Sequence, residues 1–231
     1  MSSEPHTVTT SPAQAHVRPT GPGSVGSLGR GSIERRRAAL SPSRAKDFMQ
    51  CPLMFRLRTV DRLPEPGSLA THKGTVVHSV LERLYDLPAS DRRPETALDL
   101  LPSQWESHRE KNPEVMELFE DSAGVESWLD EARGLIRTYF TLENPQRLEP
   151  AERELFVQTE TGDGLLLRGF VDRLDVAPDG AMRVVDYKTG RSPGTRFMEE
   201  ALFQMRFYAL VLWRLRGQAP ARLQLVYLKD G

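Results

Sequence analysis

Cysteine is almost missing: Cys51 is the one cysteine in a chain of 231 residues. No disulfide can form within the chain, and nothing points to secretion. An excess of one charge sign is missing too. Against 32 Asp and Glu stand 31 Lys and Arg, for a formal net charge of −1. The chain is therefore no polycation, and any contact with phosphates must come from a local patch. No apolar run approaches the about 20 residues of a membrane span. The first residues lack the apolar core of a signal peptide. A soluble, cytoplasmic protein is the expectation. The pattern Gly-x-x-x-x-Gly-Lys-Ser/Thr is also absent, so no ATP-driven motor loop lies in this chain.

What is present divides at about residue 38. Met1 to Ala38 holds no aromatic residue but many Ser, Thr, Pro and Gly, and runs through Glu34-Arg35-Arg36-Arg37. Such a segment buries too little apolar surface to offset its chain entropy, so it reads as a disordered tail. Order is expected from 39 to 231, with a helical part to about 124 and an α/β core from about 125.

Ser41 is a good N-cap and Pro42 suits a first helical position, which predicts a helix to about Gln50, ending before Pro52. Val77, Val80, Leu81, Leu84 and Tyr85 recur at helical spacing and predict a helix over Lys73–Asp86. Weaker helical patterns cover Glu95–His108 and Glu114–Glu120, and a stronger one covers Val125–Phe140. Then the period changes. Arg153–Gln158, Leu165–Val176 and Arg183–Thr189 read as strands, separated by the turn signals Thr161-Gly162-Asp163-Gly164 and Pro178-Asp179-Gly180. A helix over Phe197–Arg216 and a strand over Leu223–Leu228 follow. A strand meander followed by a crossover helix implies a mixed sheet with helices packed on it, the α/β class.

The third strand ends in Val185-Asp186-Tyr187-Lys188-Thr189-Gly190. Side chains alternate along a strand, so Asp186 and Lys188 share a face. Asp172 lies 14 positions earlier (186 − 172), across a tight hairpin. Two carboxylates brought together repel unless a proton or a cation is shared between them. Hard oxygen ligands suit Mg²⁺ or Mn²⁺, and a lysine beside them can orient a water and stabilise charge building on a phosphate. The bland alternative for Asp186 and Lys188 is an ion pair on an edge strand. For His78 it is a helix-face histidine packed beside Leu81.

Four segments resemble one family in the same order: Gly74-Thr75-Val76-Val77-His78, Gly169-Phe170-Val171-Asp172-Arg173-Leu174-Asp175, the Asp186 segment, and Gln204-Met205-Arg206-Phe207-Tyr208. The family is the PD-(D/E)XK nucleases, in the RecB-like branch of single-domain exonucleases and their CRISPR-associated relatives. The resemblance implies a restriction-endonuclease-like core of helix, three strands, helix and strand, with an added N-terminal helical layer. It implies Asp172 and Asp186 as metal-binding and catalytic acids, the Tyr187 carbonyl as a further oxygen ligand, Lys188 as the catalytic lysine, and His78 as the histidine that completes the metal site. Gln204 and Tyr208 are i and i+4 on one helical face, and in this family hold the lysine or the DNA backbone. The alternative is core packing for Tyr208 and solvent for Gln204.

Glu82, one turn after His78, is a second-layer candidate. Arg173, Arg191, Arg196 and Arg206 are candidates for a phosphate-binding rim, though a solvated arginine is the ordinary reading of each. Asp175 has the opposite parity to Asp172 and is expected to pair with an arginine. Family members with a Cys-Pro like Cys51-Pro52 add three cysteines near their C-terminus and hold a 4Fe-4S cluster. With Cys51 alone, either the cluster is lost, the chain continues past Gly231, or Cys51 is simply a small buried residue. The expected function is metal-dependent DNA hydrolysis, as an exonuclease of repair or recombination, with DNA as partner and a helicase possible in trans. The alternative is a non-catalytic DNA-binding or scaffold subunit of a helicase–nuclease complex.

Overall fold

A computed structural model of the chain describes residues 39–194 and 198–230. The expected tail, its arginine triplet, Arg196 and the expected first residue of the last helix, Phe197, lie outside the described residues.

The chain enters through a two-residue strand, β1 (Ala39–Leu40), and then α1 (Pro42–Gln50). The cap forms as its residues predict: the Ser41 side chain accepts a hydrogen bond from the Arg44 amide, 3.3 Å. Pro52 ends α1 and opens the short α2 (Pro52–Phe55), which continues as a π-helical turn over Arg56–Val60. Sequence periodicity marks neither piece, nor β1.

α3 (Leu69–Leu84) starts a turn earlier than its apolar stripe, because Ser68 caps it by accepting from the Thr71 amide. α4 (Pro94–Lys111) and α5 (Ser122–Leu142) pack beside it. The weak helical pattern after α4 is a 3₁₀ stretch, Pro113–Leu118. Val77, Leu81, Leu84, Leu101, Trp105, Ile136 and Tyr139 form one buried core with Val185, Tyr187 and Val226 of the sheet. Burying each large apolar side chain stabilises by about 1.5–3 kcal/mol.

The sheet contains β2 (Glu152–Glu160), β3 (Leu166–Val176), β4 (Met182–Lys188) and β5 (Arg222–Tyr227). α6 (Met198–Arg216) crosses from β4 to β5, which therefore pair in parallel. Met205, Tyr208, Val211 and Leu212 of α6 bury a second core against Val171, Leu174, Met182 and Val184. The sheet is thus mixed and covered on both faces, the restriction-endonuclease-like arrangement.

Two irregularities in β3 position the site. β2 runs antiparallel along nearly all of β3, but the other edge is shared: β1 pairs at Leu166 and Leu167, β4 only at 173–176. Residues 168–172 lie in the fork between. In addition, Val171 and Leu174 belong to the same core although three positions apart, so strict alternation breaks between them. At that point Glu154, which falls opposite Asp172 in the register, adopts φ +45°. A non-glycine residue in the left-handed region costs about 1–3 kcal/mol and persists only where the surroundings impose it.

Candidate active site

The fork between β3 and β4 gathers charged groups from four elements. Asp172 accepts a hydrogen bond from the Tyr187 amide, 2.7 Å, which ties the two diverging strands together at the acid itself. His78 on α3 turns its Nδ1 to 3.5 Å from the Asp172 carboxylate. Glu154 completes the group: one ligand atom each from His78, Glu154 and Asp172 lies within 4.8 Å of the others. Gly74, one turn before His78, lets α3 approach the end of β4. A Cβ there would stand 3.2 Å from the Thr189 hydroxyl.

Electrostatics mark this group as short of positive charge. Burial and the neighbouring Asp186 push the Asp172 carboxyl well above the usual carboxylate range, against the opposing pull of the Tyr187 amide. Burial and the Asp172 charge raise Glu154 to about 7. Burial lowers His78, so its imidazole is neutral and has a lone pair to offer. Carboxylates held close enough to repel, beside a neutral imidazole, form a donor set that suits a hard divalent cation such as Mg²⁺ or Mn²⁺.

On the α6 side of the fork, Asp186 is nearly fully buried and meets Lys188 Nζ at 2.6 Å. Gln204 bridges the two. Its Oε1 accepts from Lys188 Nζ at 2.8 Å, and its Nε2 donates to Asp186 at 2.8 Å and to the Tyr208 hydroxyl at 3.1 Å. The lysine is therefore aimed by two elements rather than by its own flexible stem. Tyr208 packs flat against β3 because position 169 is glycine; a Cβ there would lie 2.8 Å from the tyrosine ring. Asp172, Lys188, Gln204 and Tyr208 line a groove of about 940 Å³.

A buried and a half-buried strand acid, a lysine two residues after the second, and a glutamine on the crossover helix are the arrangement of a nuclease family, and a model of that family matches residues 39–231. The chain belongs to the PD-(D/E)XK nuclease superfamily. The Gene 69 protein of Mycobacterium phage D29 is similar to it, 27% identical over 208 residues, covering 78% of this chain and 71% of the relative. Enzymes of the PD-(D/E)XK superfamily use divalent metals, and the His78–Glu154–Asp172 group is a place for one.

The structure brings His78, Asp172, Asp186, Tyr187, Lys188, Gln204 and Tyr208 together in this candidate site. Glu82 stands one turn below His78, near enough to Glu154 for its charge to raise that carboxyl. Arg191 lines the groove. Glu154 was not expected, and the turn offered its signal. Counting back from the Thr161–Gly164 hairpin, with Glu160 opposite Leu166, sets position 154 opposite 172.

Arg173 corrects an expectation. It is not among the residues that line the groove: it is 1% exposed and packs against Tyr85, Tyr139 and Tyr187 instead. There it forks onto Glu143 with bonds of 2.8 and 2.9 Å, and donates to the hydroxyls of Tyr187, 2.5 Å, and Tyr85, 3.1 Å. It supports the strand that carries the site from beneath. Asp175 pairs with Arg173 at 3.1 Å and with Arg183 at 2.8 Å, as its parity requires. Arg206 is not among the groove-lining residues; it is exposed and pairs with Glu199 at 3.0 Å. Cys51 is half-buried and borders an apolar cleft with Leu53, Met54, Leu57 and Leu63.

Proposed function

We propose that this nuclease-family chain is a divalent-metal-dependent deoxyribonuclease of the RecB-like branch, hydrolysing DNA as an exonuclease in repair or recombination. The observation that carries the hydrolytic reading is the shared fixing of Lys188 and Asp186 by Gln204, next to the charge-starved His78–Glu154–Asp172 group. The branch, the exonuclease mode and the repair context rest on the four ordered segments and on the similarity of the core.

His78, Asp172, Glu154 and Asp186, with the Tyr187 carbonyl, would hold the ion. When bound, a divalent ion neutralises phosphate charge and makes a coordinated water acidic enough to attack. The chain's own residues do the rest. Asp172 is oriented by the Tyr187 amide, so its carboxylate needs no rearrangement to accept the ion. Lys188 presents an ammonium at the groove wall, where it can orient the attacking water and stabilise the developing phosphorane charge. Gln204 keeps that ammonium in place, and Tyr208 keeps Gln204 in place. The intact set of acids and lysine supports an enzyme over a binding subunit that has lost its chemistry.

The test is incubation of the purified protein with end-labelled single-stranded and duplex DNA. Cleavage is expected with Mg²⁺ or Mn²⁺ and none with EDTA. Undiminished cleavage in excess chelator overturns the metal mechanism. Absence of cleavage of either DNA with both metals overturns the deoxyribonuclease reading.

A further inference from the structure

The groove that holds Asp172 and Lys188 also holds two phenylalanines that the hydrolytic chemistry does not use. Phe156 of β2 and Phe170 of β3 are direct cross-strand partners. Their rings lie 5.2 Å apart, tilted at 51°. Both are on the side of the hairpin away from the α6 core, and both stay open to solvent, at 49% and 56%. A cross-strand aromatic pair does stabilise a hairpin. That alone does not account for two half-exposed rings on the wall of a groove that also contains a catalytic lysine.

Their neighbours indicate an occupant. Along β3, Arg168, Phe170 and Asp172 succeed one another two residues apart and all line the groove. Two strand residues span about 6–7 Å, the scale of one backbone step in an extended polynucleotide. The strand therefore offers a cation, an aromatic platform and a metal-binding acid in sequence. Arg191 adds positive charge to the same groove. Cations that follow a phosphate backbone, interleaved with aromatic rings on which bases stack, are the two components of single-strand recognition.

We propose that Phe156 and Phe170 form a stacking subsite for an unpaired nucleobase, one step along the strand from the phosphate that a cation at Asp172 would hold, and that the groove therefore takes single-stranded rather than fully paired DNA. Paired bases are stacked on one another and cannot lie against the rings. The proposal rests on the nuclease reading for the place of the phosphate, but its test does not require cleavage.

Binding is measured by fluorescence anisotropy in EDTA, where no hydrolysis intervenes. The probes are a labelled oligothymidylate and a deoxyribose-phosphate oligomer of the same length without bases. The variants are Phe170→Leu, the double Phe156→Leu/Phe170→Leu, and Phe170→Trp. Leucine keeps an apolar cross-strand contact, so the hairpin persists, and a thermal melt of each variant checks this. Stacking on one base is worth about 5- to 150-fold in affinity. The leucine variants should weaken oligothymidylate binding by that factor and leave the base-free oligomer unaffected, while Phe170→Trp should bind at least as well as the parent. Equal losses on both probes, or no loss on either, overturn the subsite. Cleavage with Mn²⁺ is read separately. Metal-dependent cleavage with base-independent binding retains the nuclease and removes the subsite, whereas base-dependent binding without cleavage of any DNA does the reverse.

Discussion

Replacing Glu154 by glutamine should make the metal-free protein more stable, and only at neutral to alkaline pH. Burial and Asp172 raise this carboxyl from its ordinary 4.5 to about 7. A carboxylate whose folded pKa is raised stabilises the fold fully below its unfolded value, and that contribution is lost as pH climbs through the folded value. At pH 8 both states are ionised, and the folded state bears the whole difference. That is about 2.5 units, or about 3 kcal/mol. Glu154 is only half-buried, so solvent screening reduces this to about 1–2 kcal/mol. Glutamine keeps the shape, and with it the strained backbone at φ +45°, but never ionises. For a domain of this size, 1 kcal/mol shifts the melting temperature by about 2–4 °C. The variant should therefore melt about 3–6 °C above the parent in EDTA at pH 8. At pH 5 the unfolded chain is barely past its own titration, and the gain should shrink below about 2 °C. Added Mn²⁺ should reverse the order, because the parent gains a ligand's worth of binding that the variant lacks. The assay is a set of melts at the two pH values, with EDTA or Mn²⁺. Equal melting in EDTA at pH 8, or a gain that persists undiminished at pH 5, would refute the account of Glu154 as a carboxylate awaiting a cation.

Lys188→Ala should cut cleavage by about 10²–10³ at saturating metal while leaving the metal requirement unchanged; a near-parental rate in a Mn²⁺ titration would make Lys188 no more than the ion-pair partner of Asp186. Arg173→Met should destabilise the fold by about 3–5 kcal/mol, since it takes both short bonds from the buried Glu143 carboxylate. Chemical denaturation measures this, and a loss under 1 kcal/mol would show the cluster to be better solvated than its burial implies.

The elements with their own local signals were legible in the sequence. Ser41 and Pro42 announced α1, two glycine-bearing turns delimited β2, β3 and β4, and the spacing of Asp172 and Asp186 placed both acids at the same end of adjacent strands. What was not legible depends on partners far along the chain. β1 is two residues long and exists because the edge of β3 accepts it. The burial of Arg173 requires Tyr85, Tyr139 and Glu143, contributed by two helices that carry no mark of a shared target. Alternation alone would set Leu174 on the face of Phe170 and Asp172, away from Val171. The break in that alternation, and the left-handed Glu154 that accompanies it, has no local signature. Glutamate is an ordinary strand residue, and only the register across the hairpin reveals what it faces.

Gly169 acts as a spacer gauge for the whole candidate site. Its missing side chain sets how close α6 lies to the sheet, because the Tyr208 ring fills the place a Cβ would take. Tyr208 in turn anchors Gln204, and Gln204 holds both Lys188 and Asp186. A single methyl added to β3 would thus be transmitted through a ring and an amide to the Lys188 ammonium and the Asp186 carboxylate. The tolerance of the site is set at a residue that carries no chemistry, three positions before Asp172.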